Sequence, residues 1–284
     1  MDITELLAAT REAAKRGGEV ALQVVREGLG AKVVGKGMGG DYSLQGDVES
    51  ERRIIETLLM RLGAIKVISE EIGEKILGEE PEFTAIVDPI DGSRNYKRGL
   101  PFFSVSVAVA KGETLRDIVA ATIYAPLLNL EFTAIRGGGA FLNEKPIRVT
   151  RHESLQDSLI FVGSSPKATF LPHLFILNIV SKGAIVRSLG SASLELSFVA
   201  SGAADAYIDY WGTMRVVDIA AAYLIAKEAG AWVSIKGFIR DEVALSIQER
   251  LLILASSTQN LGKELHSVFG ETFGMSPDEI YGRG

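Results

Sequence analysis

Three acidic segments of this chain carry residues that could do chemistry together: Val67-Ile-Ser-Glu70-Glu71, Ile86-Val-Asp88-Pro-Ile-Asp91-Gly-Ser93 and Arg215-Val-Val-Asp218-Ile-Ala-Ala221. In each, an apolar run meets a carboxylate at the close of a predicted strand or the opening of a predicted helix. Carboxylates carried to the ends of buried strands are costly to desolvate unless a positive charge meets them. Oxygen ligands with no cysteine or histidine beside them suit Mg²⁺ or Mn²⁺ and not zinc. Asp88 and Asp91, three apart across a proline, can face one point, and the Ile90 carbonyl can turn to the same side. Gly92 and Ser93 then open a helix or tight turn whose free N–H groups make a seat for a phosphate. Metal-binding acids beside an anion seat are what two-metal phosphoryl transfer requires. Any one of these acids alone reads equally well as a solvated strand end; the three segments together favour the chemistry. The motifs are read as bringing Glu70, Asp88, Asp91 and Asp218 together with no cationic side chain among them. Ser93 has no histidine or lysine in its motif to take its proton, so it reads as an orienting group and not as a covalent nucleophile.

Other motifs fail on their context. Gly35-Lys-Gly-Met-Gly-Gly40 matches a dinucleotide fingerprint in spacing, but Asp41-Tyr-Ser-Leu44 follows where a helix should start, and Arg61 stands where an acid is needed. Gly30 to Lys36 has the spacing of a P-loop, yet Gly37 replaces the required Ser or Thr. The stretch reads as a glycine-rich loop, beside a cleft, that could contribute Asp41. His152, His173 and His266 lie far in sequence from every acidic cluster, and no Gly-x-Ser-x-Gly elbow is present, which gives a serine–histidine hydrolase little support.

The elements that must position the acids form a mixed α/β pattern. A helix is expected over Asp2–Glu27, opened by Asp2 and Glu5, and a short strand over Lys32–Val34. Asp47–Leu62 reads as a helix, and Ile65–Ser69 and Phe83–Val87 as buried strands. Phe102–Ala110, Ile118–Tyr124, Leu130–Ile135 and Ala140–Leu142 follow as a meander. Beyond about Thr150 the pattern alternates: strands at Leu159–Val162, Ala184–Ser188, Ala206–Ile208 and Leu251–Ala255, and helices at Thr169–Val180, Ser193–Ala200 and Val216–Ala229. Residues 1–150 and 151–284 are read as two α/β halves of one compact catalytic unit. The first carries most of the metal ligands; the second carries Asp218 and the substrate contacts.

The 284 residues are 47% hydrophobic and 23% charged, with a net charge of −6, which argues against nucleic acid as a partner. The absence of cysteine excludes disulfides, thiolate metal sites and a cysteine nucleophile. No targeting segment or membrane span is recognised, so a cytoplasmic location is expected. Five Asn, five Gln and no Cys fit a heat-adapted protein.

Asp88-Pro-Ile-Asp-Gly-Ser93 resembles the signature of the inositol monophosphatase family, which usually ends in Thr. The resemblance continues through Glu70-Glu71, Gly139-Ala-Phe-Leu-Asn143, Arg187-Ser-Leu-Gly-Ser-Ala192, Val199 to Tyr207, Asp218-Ile-Ala-Ala221 and Glu228-Ala-Gly-Ala231. Arg215-Val-Val-Asp218 looks like the archaeal branch, whose members often act on both inositol monophosphate and fructose 1,6-bisphosphate. The resemblance implies a five-layer αβαβα sandwich, a homodimer, and two or three Mg²⁺ ions, replaceable by Mn²⁺, that activate a water for phosphate hydrolysis. It assigns the first metal to Glu70, Asp88 and the Ile90 carbonyl, and the second to Asp88, Asp91 and Asp218. A third, weaker site would take Glu70 with Asp41 or Asp47. It makes Glu70, Ser93 and Asp47 catalytic. Asp91, Gly92, Ser93, Arg187, Ser191, Ala192, Asp209, Trp211 and Arg215 would contact the substrate. Trp211 stands where relatives are expected to carry an arginine, which leaves Arg187, Arg215 or the run Arg94, Lys97, Arg98 to meet a second phosphate. An adenosine 3′,5′-bisphosphate nucleotidase or NADP phosphatase is the alternative within the superfamily. A non-catalytic regulatory protein is the alternative from another class, and it would predict loss of the acids that this chain keeps.

Overall fold

The computed structural model describes residues 1–38, 42–164, 170–237, 242–276 and 279. Asp41 lies outside them. The chain opens with α1 (Ile3–Arg26), whose first turn is closed by the Asp2 N–H donating to Glu5 Oε2 at 3.0 Å. A hairpin of β1 (Val33–Lys36) and β2 (Tyr42–Leu44) occupies the glycine-rich segment and leads straight into α2 (Gln45–Leu62). β1 and β2 remove the dinucleotide-binding reading, because among the described residues a strand stands on each side of the glycines and α2 starts only at Gln45.

An eight-stranded sheet follows, in the order β10-β9-β8-β7-β6-β5-β3-β4. Its strands are β3 (Ile65–Ser69), β4 (Gly73–Leu77), β5 (Phe83–Asp91), β6 (Ser104–Ala110), β7 (Ile118–Ala125), β8 (Leu130–Ile135), β9 (Gly139–Leu142) and β10 (Lys145–Ile147), with the single helical turn α3 (Ser93–Lys97) after β5. β3 and β5 are parallel neighbours at the sheet's interior, and every residue of β5 is buried. That explains why apolar residues predominate in both, interrupted by Lys66 in β3 and Thr84 in β5 before the acids are reached. The expected meander is present as β6 to β9.

The second sheet has the order β12-β11-β13-β15-β14. It comprises β11 (Leu159–Val162), β12 (Ile185–Arg187), β13 (Ala206–Arg215), β14 (Trp232–Gly237) and β15 (Arg250–Ser256), accompanied by α4 (Leu171–Ser181), α5 (Ala192–Ala200), α6 (Val216–Glu228) and α7 (Gln259–Phe273). α1 and α2 pack on one face of the eight-stranded sheet, α5 and α6 fill the space between the sheets, and α4 and α7 cover the far face of the second. The layers therefore run αβαβα, as expected. α6 is apolar on nearly all sides because both its faces are covered: Val216, Val217, Ile219 to Ala222 and Leu224 to Ala226 are all buried.

Five of these elements have no counterpart in the sequence reading, among them β2, which lies in the stretch read as a glycine-rich loop. β4, β10 and β14 are edge strands with few buried residues, so they lack an apolar run. α7 does carry a helical stripe, Leu261, Leu265, Val268 and Phe269, which was legible but passed over. β5 and β13 also run further than expected, to Asp91 and Arg215, and both extensions bear functional candidates.

Candidate active site

The acids sit where regular pairing breaks. β5 pairs Asp88 with Ser106 and Asp91 with Ser104, so three steps on one strand oppose two on the other. Pro89 has no N–H to give the ladder, and its carbonyl instead accepts the Ser50 hydroxyl at 3.2 Å. The bulge leaves both acids at the strand's end. Asp88 Oδ1 accepts the Ile90 N–H at 3.1 Å. Asp91 Oδ2 accepts the Ser191 hydroxyl at 2.6 Å and the Ser193 N–H at 2.8 Å, so the start of α5 holds it in place. Glu70 follows β3, and its carbonyl accepts the Met38 N–H at 3.0 Å, which ties the β1–β2 hairpin over this acid. Glu51, a buried residue of α2 absent from the sequence reading, accepts the Ser69 hydroxyl and the Glu71 N–H and fixes the end of β3. Asp218 lies in the first turn of α6 and accepts the Arg215 N–H at 2.8 Å.

One expectation is overturned here. A cation of the chain does stand among the acids: Arg215 Nη1 donates to Glu70 Oε1 at 2.8 Å and Nη2 donates to Asp218 Oδ1 at 2.7 Å. Sequence reading placed Arg215 at the substrate and left these carboxylates without a counter-charge. The missed signal was its spacing, since an arginine three residues before Asp218 caps the same helix turn. Among the described residues, no three acidic side chains close on one point.

The electrostatics nevertheless point to a cation. Burial, then the charges of Glu70, Asp91 and Asp218, hold the Asp88 carboxyl well above its ordinary range, with Arg215 pulling the other way. Asp91 is pushed up to about 6 by burial, against the Ser191 and Ser193 hydrogen bonds that lower it. A buried carboxylate in the field of three others, all of them oxygen donors, is the donor chemistry that a hard divalent ion takes.

A cleft with two lobes opens over this cluster. The first, about 470 Å³, is lined by Asp47, Glu70, Glu71, Asp88, Ile90, Asp91, Gly92, Ser93, Arg94 and Lys97, among others. Gly92 adopts φ +91°, and a Cβ there would come within 2.9 Å of the Phe102 carbonyl, so only glycine makes this turn. Asn95, also unread in the sequence, donates to the carbonyls of Phe102 at 2.6 Å and Leu189 at 2.7 Å, locking the turn to the opposite wall. Ser93 Oγ donates to the Ile90 carbonyl at 2.9 Å and lies beside Asp47. Burial first, then the charges of Glu71 and Glu70, push Asp47 up to about 8.

The second lobe, about 410 Å³, shares Asp91, Ser164, Gly190, Arg215 and Asp218 with the first and adds Ser191, Ala192, Glu195, Asp209 and Arg250. Asp209 is buried and pushed up to about 7 by that burial. Two expected substrate residues are elsewhere. Trp211 is buried against Phe175 and Phe269, and its indole N–H donates to the Gly163 carbonyl at 2.7 Å. The β13–β15 register breaks between Asp209 and Met214, which turns Trp211 to the outer core beside Tyr210. Arg187 ends the edge strand β12, is exposed, lines neither lobe and donates to the Val186 carbonyl. Arg250 was unforeseen; β15 brings it opposite Arg215. The histidines line neither lobe: His152 faces Gln156, His266 faces Tyr210 and His173 is exposed on α4.

Comparison with known proteins agrees with this arrangement. A fructose-1,6-bisphosphatase of Pyrococcus furiosus is 34% identical over 239 residues, covering 84% of this chain and 88% of its own. An inositol-1-monophosphatase of Rhizobium meliloti is 36% identical over 202 residues, covering 68% and 71%. The crystal structure of extragenic suppressor protein suhB from Bartonella henselae superposes with a TM-score of 0.79 at 28% identity, covering 93% of this chain and 98% of that one. The model of the inositol monophosphatase family matches residues 2–268. With the layered fold, the strand-end acids and that match in agreement, the chain belongs to the inositol monophosphatase family and is a phosphoric monoester hydrolase.

Proposed function

We propose that this enzyme hydrolyses the phosphate monoesters of small sugars and polyols, inositol 1-phosphate and fructose 1,6-bisphosphate among them, and that it depends on Mg²⁺ or Mn²⁺. The observation that carries this reading is one cleft lined by four carboxylates, Asp88 and Asp91 buried and Glu70 and Asp218 partly so, that adjoins a second lobe of similar size. Glu70, Asp88, Asp91, Asp218 and the Ile90 carbonyl would hold two ions, with Asp47 beside a third. Bound there, the metal would supply Lewis acidity and a more acidic water.

The chain's own groups do the rest. The amides of Gly92 and Ser93 bind phosphate oxygens; α3 is a single turn, so its N–H groups and not a helix dipole provide the seat. Asp47, with its raised affinity for protons, holds a proton passed through the Ser93 hydroxyl. Asp209 accepts hydrogen bonds from substrate hydroxyls at the far end, and Ser191 and Ala192 line the path between.

A second phosphate needs a cation of its own, since burying it unpaired is costly. Arg250 is the new candidate, on the sugar side, with Arg94 and Lys97 on the other lobe. A homodimer is supported by the apolar face that α4 exposes, Leu174, Leu177 and Val180, beside Ile185 of β12. No helix among the described residues is long and apolar enough to cross a membrane.

Phosphate release from inositol 1-phosphate, fructose 1,6-bisphosphate and adenosine 3′,5′-bisphosphate, each with and without Mg²⁺, tests the proposal. Turnover of the first two is expected. Preference for the nucleotide would replace the sugar reading with a nucleotidase, and no release from any would favour a non-catalytic role.

A further inference from the structure

Arg215 closes β13 and opens α6, so its backbone is held by a sheet on one side and a helix on the other. Its guanidinium forks onto Asp218, with Nε at 3.1 and 3.2 Å from the two carboxylate oxygens and Nη2 at 2.7 Å from Oδ1. Nη1 reaches across to Glu70 at 2.8 Å. The three side chains are only 12–15% exposed. A planar fork with two carboxylates from opposite halves of the chain is a strong, geometrically defined arrangement.

These two carboxylates are half of the donor set that fits a divalent ion. Guanidinium N–H groups and a metal draw on the same carboxylate charge, so the closer the ion binds Glu70 and Asp218, the less favourable the guanidinium's place between them becomes. A doubly charged ion placed among Glu70, Asp88 and Asp218 would also meet the guanidinium's charge at close range, among side chains only 12–15% exposed, where screening is weaker than in bulk water. Arg215 lines both lobes of the cleft, so its head has space toward the substrate end.

From this geometry we infer that Arg215 is a built-in competitor for the divalent cation: it neutralises Glu70 and Asp218 while no ion is bound, and it leaves them as the ion enters. The inference rests on the metal dependence proposed above. It makes Arg215 a positioning residue with two opposed effects. It keeps the acid cluster from repelling itself apart, and it weakens the affinity of that cluster for Mg²⁺. An arginine that merely braced the acids would act with one sign, since its loss would destabilise the protein and loosen Mg²⁺ together.

The test is to measure Mg²⁺ binding by calorimetry and thermal stability under chelator for the wild-type enzyme, Arg215→Met and Arg215→Lys. Competition predicts that Arg215→Met melts lower under chelator yet binds Mg²⁺ roughly tenfold or more tightly, the scale set by losing a charge-assisted contact. Arg215→Lys, which keeps the charge and loses the fork, falls between. Unchanged or weaker Mg²⁺ binding by Arg215→Met, while the wild type binds normally, overturns the competition alone. No Mg²⁺ binding by the wild type overturns the metal reading beneath it. If Arg215→Met does not fold, wild-type protein labelled with ¹⁵N-arginine decides the matter. The Arg215 Nε–H resonance must shift and exchange faster with water as Mg²⁺ is added, and a signal that stays fixed at saturating Mg²⁺ refutes the proposal.

Discussion

The two lobes of the cleft are built differently. The acid lobe hangs on the ends of β3 and β5, buried parallel neighbours one strand in from the β4 edge of an eight-stranded sheet. Its sugar-side neighbour is put together from the bulged half of β13, the start of β15, the turn at Gly190 and the first residues of α5. In the first lobe a local motif carries both the acids and the turn beside them. In the second, function depends on which strands pair and where a bulge falls. On the proposed function, chemistry is encoded locally here, and specificity by long-range register.

Replacing Asp88 strikes the first lobe hardest. Asp88→Asn removes the central carboxylate without changing side-chain volume, and kcat should fall by at least about 10²-fold with an unchanged melting profile. A variant with full turnover would mean that the acid lobe is not where the reaction occurs.

Arg250 sharpens the other side of the comparison. Arg250→Ala should raise KM for fructose 1,6-bisphosphate about 10- to 150-fold more than for inositol 1-phosphate, the value of a charge-assisted contact of about 1.5–3 kcal/mol. Arg187→Ala, on an exposed strand edge, should leave both constants near wild type. The reverse pattern, with Arg187 selective and Arg250 silent, would show that the sugar-side lobe has been misplaced.

That contrast also marks how much the sequence disclosed. Asp88, Asp91, Glu70 and Asp218 were legible because each ends an apolar run; the order of elements gave a mixed α/β chain, and the αβαβα layers followed from the resemblance alone. Arg215 was assigned to the substrate because its partner Glu70 is 145 residues away, beyond any local pattern. Trp211 was counted with the substrate contacts because it stands where relatives are expected to carry an arginine, and no local pattern reveals the break between Asp209 and Met214. Arg250 carried no signal, since only the β13–β15 pairing brings it to the cleft.

A smaller effect is expected at Ser93, on the floor of the acid lobe. Ser93→Ala should lose about tenfold in kcat and remain measurably active, while Ser93→Thr should be near wild type. Phosphoserine trapped at this position during turnover would make it a nucleophile and refute the orienting role.

The smallest effect concerns Glu195, which braces the second lobe by accepting the N–H groups of Leu189 and Gly190. Burial pushes its carboxyl up to about 8 in the folded protein. The unfolded chain then gives up this proton first, so the contribution is full below the ordinary carboxylate pKa and is lost as pH rises toward 8. Glu195→Gln should flatten that decline, by a few degrees in Tm at pH 8. Parallel Tm-versus-pH curves for the two proteins would remove Glu195 as the cause.

The central claim is that the buried carboxylates work only around a divalent metal. Its most direct measurement is phosphate release from inositol 1-phosphate by enzyme stripped with a chelator, followed by titration of Mg²⁺ back into the same sample. Activity should vanish on stripping and return in full, with Mn²⁺ able to replace Mg²⁺. Undiminished hydrolysis in excess chelator would contradict the account, because Arg215 would then be the only cation those acids need.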